Sequence, residues 1–270
     1  MMKIDDSVQD LVEEVRSNPK YQFITSDLVQ QLCQDAKRKG LKGKLAVKTV
    51  RGKLHQIGGA YFSKQVDYNE TINRLRTLPD DIQSAEVRQF CRQTMRSHTS
   101  TGERLPIIDT FFKTCLASLA PVHSVIDLAC GLNPLAIPWI PLTEDFTYCA
   151  CDIYEDMLGL LTHFFKRFSI QSKTTACNLT SGIPETNAEV AFLLKSIPCL
   201  EQIKKSFGAE ILELIPTPHL LVSYPVHSIG GRKKGMPDFY RRHFYQLISG
   251  KDWEVQEFQF QTELAFMVHK

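Results

Sequence analysis

Apolar positions in the first third of the chain recur at helical spacing. Val8, Leu11, Val12 and Val15 fall on one stripe. Ser26-Asp27 offers an N-cap for a helix running to about Lys39. Further helices are predicted over Leu45 to Ile57, Tyr68 to Leu78 and Asp81 to Arg96, with turns marked at Asn18-Pro19, Gly40, Gly58-Gly59 and Pro79-Asp80. From Val122 the pattern changes. Short β-rich runs alternate with helical stretches: strands at Val122 to Leu128, Thr147 to Ile153, Lys173 to Leu179, Val190 to Lys195 and His219 to Tyr224, then Trp253 to Phe260 and Leu264 to His269. Helices are predicted at Asp109 to Leu119, Glu155 to Phe168, Leu200 to Leu214 and Pro237 to Ile248.

Strands separated by helices imply right-handed crossovers and a mainly parallel sheet. The final two strands are joined by a short turn and form an antiparallel hairpin. The chain therefore divides into a helical unit, residues 1–105, and an α/β unit, residues 106–270, whose seven strands follow the layout of Rossmann-like class I methyltransferases.

Composition narrows the setting. Of 270 residues, 43% are hydrophobic, enough for a sizeable core. No run approaches the roughly 20 apolar residues of a membrane span, and the amino terminus lacks a secretory apolar run. A soluble, cytoplasmic monomer is expected. The eight cysteines show no C-x-x-C pair, so reduced thiols are expected and a zinc site is not. The net charge of +2 hides an asymmetry: Lys37, Arg38, Lys39, Lys42, Lys44, Lys48, Arg51 and Lys53 are interrupted by no acidic residue. One-sign runs repel themselves unless a polyanion neutralises them, so this run is read as RNA-binding rather than as a solvated helix face.

Candidate chemistry collects at strand ends, where open α/β sheets bind ligands. The first strand ends in Asp127-Leu128-Ala129-Cys130-Gly131-Leu132-Asn133-Pro134. Its small residues Ala129 and Gly131 let backbone approach a ligand closely, or simply make a turn. Asp152 ends the second strand and either accepts from both ribose hydroxyls of a nucleoside or caps the next helix. Asn178 sits near the end of the third, and Lys195 and Ser196 at the end of the fourth. Arg104 either clamps a carboxylate bidentately or pairs with Glu103 or another neighbour. Cys199, after Pro198, sits where a covalent C5-cytosine methyltransferase would place its nucleophile, and it also fits a buried helix start.

Several segments together resemble one family, the aminoglycoside-resistance 16S ribosomal RNA methyltransferases that methylate guanine N7 in the decoding site. They are Leu54 to Tyr61, His98 to Leu105, Asp127 to Leu135, Leu193 to Glu201 and Ser223 to Met236, the last reading SYPVHSIGGRKKGM. The resemblance implies S-adenosylmethionine as cofactor, S-adenosylhomocysteine as product, and 16S RNA in the 30S subunit as partner. It places His98, Ser100, Arg104, Asp127, Ala129, Gly131, Asp152, Ile153, Asn178, Leu179 and Lys195 around the cofactor. It places Lys195 and Ser196 at the methyl-transfer site, and the basic run with Arg232, Lys233 and Lys234 against RNA; Tyr224 at the end of the fifth strand is a further candidate for lining the methyl-transfer site. Tyr224 is read either as a base-stacking aromatic or as core. Gly102 and Asn178 stand where the family often has Arg and usually has Asp. Guanine N7 carries a lone pair and no proton, so no general base is expected. An RNA-binding protein on a methyltransferase scaffold is the non-enzymatic alternative.

Overall fold

The computed structural model describes residues 7–58, 66–226 and 236–270. The described elements before the first strand are helical, beginning with α1 (Val8–Arg16), α2 (Ser26–Arg38), α3 (Gly43–Ile57), α4 (Tyr68–Arg76), α5 (Ala85–Met95) and α6 (Thr99–Arg104). α1 opens with a capping box, in which Ser7 Oγ accepts from Asp10 N at 3.0 Å and the Asp10 carboxylate accepts from Ser7 N at 2.9 Å. The expected cap at Ser26-Asp27 is not used. Thr25 is the N-cap residue and makes no side-chain cap. Ser26 Oγ instead accepts from Arg16 Nη1 at 2.7 Å, and Thr25 N donates to Ile153 O at 2.9 Å. Tertiary contacts thus override the local signal.

Seven strands follow: β1 (Val122–Leu128), β2 (Leu142–Asp152), β3 (Gln171–Ala176), β4 (Val190–Leu194), β5 (His219–Pro225), β6 (Glu254–Gln259) and β7 (Glu263–His269). Their order is β3-β2-β1-β4-β5-β7-β6. β1 to β5 pair in parallel, while β7 runs antiparallel between β5 and β6, as the hairpin requires. The order reverses between β1 and β4, which opens a crevice at the carboxyl ends of these strands. Helices α7 (Ile108–Cys115), α8 (Glu155–Arg167), α9 (Ile197–Ile203), α10 (Phe207–Leu214) and α11 (Met236–Leu247) complete the fold.

Alternation along the strands divides the core into two layers. Val125, Phe192, Leu221 and Met267 face one side, together with Leu28, Val29, Leu54, Phe111 and Phe112. Ile126, Leu193, Val222 and Phe266 face the other, against Phe207, Ile211 and Phe244. The helical segment shares the first layer, so its apolar stripes and one sheet face bury each other. It is also tied to the sheet through its backbone: Ile24 bridges Tyr154, and Glu155 N donates to Phe23 O at 2.9 Å.

Three expectations are corrected. A 3-10 segment, Asn133–Trp139, follows β1 where no helix was predicted; Pro134 and Pro138 exclude a regular α-helix there. The single helix expected over Leu200 to Leu214 is two, α9 and α10, broken where Ser206 adopts a left-handed φ of 60°. β3 ends at Ala176, so Asn178 lies in the loop beyond it. Among the described residues, no helix is long and apolar enough to cross a membrane. Among them, too, no group of three or more His, Cys, Asp or Glu is placed to hold a metal ion.

Candidate functional site

The crevice holds a cleft partly open to solvent. Ala129 and Asp152 to Tyr154 wall one side, Cys177 to Leu179 the next, and Leu194 to Ser196 with Cys199, Leu200 and Ile203 the third. Ile57 and Gly58 from the end of α3, and His98 and Ser100 from the start of α6, close it. The helical segment therefore supplies part of the wall.

The loop after β1 is shaped for close approach. Ala129 and Gly131 both take left-handed φ, 51° and 52°. A Cβ on Gly131 would sit 2.6 Å from Cε1 of His98, so only glycine fits under that ring. Asp152 Oδ2 accepts from Gly131 N at 2.9 Å, and Oδ1 accepts from Ile153 N at 2.7 Å and Tyr154 N at 3.2 Å. Asp152 does not cap α8, whose N-cap residue is Tyr154. Burial raises its pKa against the pull of these three N–H groups. A carboxylate has about four acceptor sites, so Asp152 keeps capacity for a hydroxyl from the cleft. His98 is neutral: burial first, then Lys195 and Arg104, hold its pKa near 3.

Behind the wall runs a buried polar chain that the local sequence does not announce. Arg104 is fully buried. Its Nε and Nη2 donate to the carboxylate of Glu263, at 2.6 Å for Nη2, and its Nη1 donates to Asn133 Oδ1 at 2.7 Å. It therefore neither lines the cleft nor pairs with Glu103. Glu103 instead meets Lys195, whose Nζ donates to Glu103 Oε2 and Ser100 O at 3.0 Å each and lies 3.3 Å from Glu263 Oε2. Lys195, at a left-handed φ of 58°, is the cation on the cleft wall. Glu263 also accepts from Ser223 Oγ at 2.6 Å. Burial works against its charge, but Arg104 and Lys195 hold its pKa below the usual value.

Asp127 also belongs behind the wall. Its Oδ2 accepts from Asn133 Nδ2 at 2.8 Å and Tyr148 Oη at 2.7 Å. Burial pushes its pKa to about 7. Asp127 thus orients Asn133, and through it Arg104, rather than lining the cleft.

Asn178 and Leu179 border the cleft, but the Asn178 side chain is saturated. Its Nδ2 donates to Gln31 Oε1 at 2.6 Å and Ser181 Oγ at 3.0 Å, and its Oδ1 accepts from Thr180 N at 3.1 Å and Thr180 Oγ1 at 2.8 Å. Through Gln31 the Asn178 side chain ties the loop beyond β3 to α2. Ser196 lines the cleft, and its buried Oγ has no partner among the described residues. Tyr224 is core: fully buried, stacked on Tyr240 at 4.8 Å and packed edge-on to Phe244 and Phe266. The stacking reading of Tyr224 is therefore corrected.

The basic run divides by task. Arg38 pairs with Asp35. Arg51 donates to the carbonyl oxygens of Glu14 and Val15, tying α3 to the end of α1. Lys39 and Lys42 are exposed in the turn between α2 and α3, Lys37 is half-buried in the last turn of α2, and Lys53 is half-buried near the end of α3. Lys44, Lys48, Arg51 and His55 follow one stripe of α3 and, with Lys20 and Glu14, line a surface groove. Lys20 Nζ lies 3.0 Å from His55 Nδ1. Lys20 and His55 were missed by the sequence reading; the spacing of Lys44, Lys48, Arg51 and His55 is the signal that finds the latter. Arg232, Lys233, Lys234 and the Gly59 to Tyr61 part of the motif lie outside the described residues.

A seven-stranded sheet in this order, with a glycine loop after β1 facing an acidic residue at the end of β2, defines a Rossmann-like class I methyltransferase. The sequence profile of the ribosomal RNA methyltransferase (FmrO) family matches residues 16–267, and the chain belongs to that family. A 16S rRNA (guanine(1405)-N(7))-methyltransferase of Micromonospora rosea is 29% identical over 269 residues, covering 98% of each chain. A protein of the same description from Micromonospora echinospora is 28% identical over the same length. The crystal structure of the 16S rRNA methyltransferase RmtF in complex with S-adenosyl-L-homocysteine matches at a TM-score of 0.83 and 26% identity, covering 99% of this chain and 100% of that one.

Proposed function

We propose that the protein transfers a methyl group from S-adenosylmethionine to N7 of the decoding-site guanine of 16S RNA, position 1405 in the relatives' description. On this reading it acts as a monomer on the 30S subunit in the cytoplasm, releases S-adenosylhomocysteine, and protects its host from aminoglycosides. Residues 1–105 dock the subunit, and residues 106–270 hold the cofactor with a wall added by Ile57, Gly58, His98 and Ser100. The observation that carries the reading is the cleft between Asp152 and Ser196. It joins an acidic acceptor with spare capacity, a neutral imidazole at His98, and a buried hydroxyl without a partner among the described residues. Such a donor set suits a nucleoside bearing ribose hydroxyls.

The bound cofactor supplies an electrophilic methyl on a sulfonium. The chain supplies position. Asp152 accepts from the ribose, Gly131 lets backbone pass beneath it, and the neutral His98 ring covers that loop without adding charge. Lys195 and Ser196 border the reacting atoms, and the buried Arg104–Glu263 pair holds Lys195 in place. Guanine N7 needs no deprotonation, so alignment rather than acid–base chemistry lowers the barrier. Lys44, Lys48 and Lys20 meet phosphates, and Arg232, Lys233 and Lys234 add to the cationic surface.

Mass spectrometry of 16S RNA after incubating 30S subunits with protein and cofactor tests this. One added methyl on the decoding-site guanine is expected; modification of another base, or none, overturns the assignment. Cys199 on the cleft wall favours one second reading, covalent C5-cytosine methylation. A Cys199→Ser variant that keeps full activity removes it.

A further inference from the structure

α11 carries a face that the reading above leaves without a task. The helix buries Phe244 and Ile248, the residue just past its end, against the sheet. Phe239, Arg242 and Gln246, spaced three and four apart, lie on the opposite side. A phenylalanine 54% exposed therefore stands at the centre of the solvent face. Single exposed apolar residues are ordinary. This one differs in three ways.

First, the ring is braced. It lies parallel to the His243 ring within 7° at 6.1 Å and meets the edge of Tyr240 at 5.3 Å. Tyr240 in turn stacks on the buried Tyr224 at 4.8 Å. Second, the brace leads to the cleft. His243 Nε2 lies 2.9 Å from Glu201 Oε2 on α9, and that helix supplies Cys199, Leu200 and Ile203 to the cleft wall. Third, a guanidinium shares the face. Arg242 is exposed beside Phe239, while the nearby carboxylates of Asp238 and Glu257 are both paired with Arg241, at 2.6 and 2.7 Å.

We propose that the Phe239–Arg242 face of α11 is a stacking platform for an unpaired base of the ribosomal RNA flanking the target guanine. A pre-oriented aromatic ring with an adjacent guanidinium suits a nucleobase π-face and its phosphate. The proposal rests on the ribosomal RNA reading of the cleft and adds a second contact one helix away from it. Phe239 touches neither the cofactor wall nor the buried core, so its replacement leaves the fold and the cofactor cleft intact.

The test uses the full chain with Phe239→Ala, Phe239→Trp and Arg242→Gln. Phe239→Ala is expected to weaken 30S binding about tenfold, within the range for loss of one base–aromatic stack. S-adenosylhomocysteine binding, measured by calorimetry, stays at the wild-type value. Phe239→Trp keeps 30S affinity, and its indole fluorescence is quenched on binding. Arg242→Gln weakens binding and lowers its salt dependence. A Phe239→Ala protein that binds and methylates 30S subunits like wild type overturns the platform. So does a wild type that self-associates through this face, seen as a dimer in sedimentation that Phe239→Ala dissociates. A wild type that binds the subunit without methylating it, with Phe239→Ala binding more weakly, upholds the platform and sinks only the transfer reading.

Discussion

Replacing Glu263 with Gln tests the buried polar chain behind the cleft. The substitution keeps shape and removes one charge from a fully buried site. Arg104 then retains only Asn133 Oδ1 and a neutral amide oxygen, and Lys195 loses one of its two carboxylates. Removing one partner of a buried ion pair costs about 3–5 kcal/mol, because the other charge stays buried. For a chain of this size each kcal/mol lowers Tm by roughly 2 °C, so Glu263→Gln should melt about 6–10 °C lower. Arg241→Ala is the control. Its two ion pairs are partly exposed, and exposed pairs contribute about 1 kcal/mol or less each, so its Tm should move by roughly 4 °C at most. Differential scanning calorimetry at pH 7 reads both. The Glu263 contribution has a defined pH window. Its folded pKa lies below the unfolded value near 4.5, so the contribution is complete above that pH and is lost as pH falls through the folded pKa. A Glu263→Gln protein that melts with Arg241→Ala refutes the reasoning.

Three further outcomes follow. Gly131→Ala forces a Cβ to within 2.6 Å of the His98 ring at a left-handed φ of 52°; that residue conformation alone costs roughly 1–2 kcal/mol, so differential scanning calorimetry should show Tm lower by at least roughly 2–4 °C, and an unchanged Tm would contradict the close packing of His98 on this loop. Asp127 has a folded pKa near 7 against an ordinary 3.8, so the native state holds a proton that the unfolded chain releases, and stability declines as pH rises through that interval. Urea unfolding should accordingly show Asp127→Asn gaining on wild type by about 2 to 3 kcal/mol between pH 5 and pH 8, and a gap that does not vary with pH contradicts the shift. Lys44→Ala with Lys48→Ala should lower the log–log salt slope of 30S binding by about 2, one for each lost phosphate contact, with cofactor affinity unchanged; an unaltered slope removes the α3 groove from the RNA interface.

Much of the fold was legible because both faces of a central parallel strand are buried. Val190 to Leu194 reads as a continuous apolar run, and the structure places β4 there with every residue buried. β2 was read too short, since its first residues, Leu142 to Asp145, are mostly polar and poorly buried. In the site, Gly131, Asp152, Lys195 and Ser196 were legible because strand ends and small residues are local signals. The partners of Arg104 were not. Glu263 lies 159 residues away, and only the antiparallel pairing of β7 with β5 brings it beneath the cleft. Asn178 was correctly placed beside the cleft, yet nothing around it in sequence announces Gln31, 147 residues upstream, as its partner. Tyr224 shows the limit of reading one strand: its neighbours Tyr240, Phe244 and Phe266 come from α11 and β7, and they turn an apparent stacking residue into core.

Titration of S-adenosylhomocysteine into the purified chain by isothermal calorimetry tests the central claim most directly. One saturable site per chain is predicted, weakened at least about tenfold in Asp152→Asn, where the carboxylate's charge is lost. No heat of binding in the wild type, or binding that Asp152→Asn leaves untouched, would contradict the placement of the cofactor between Asp152 and Ser196.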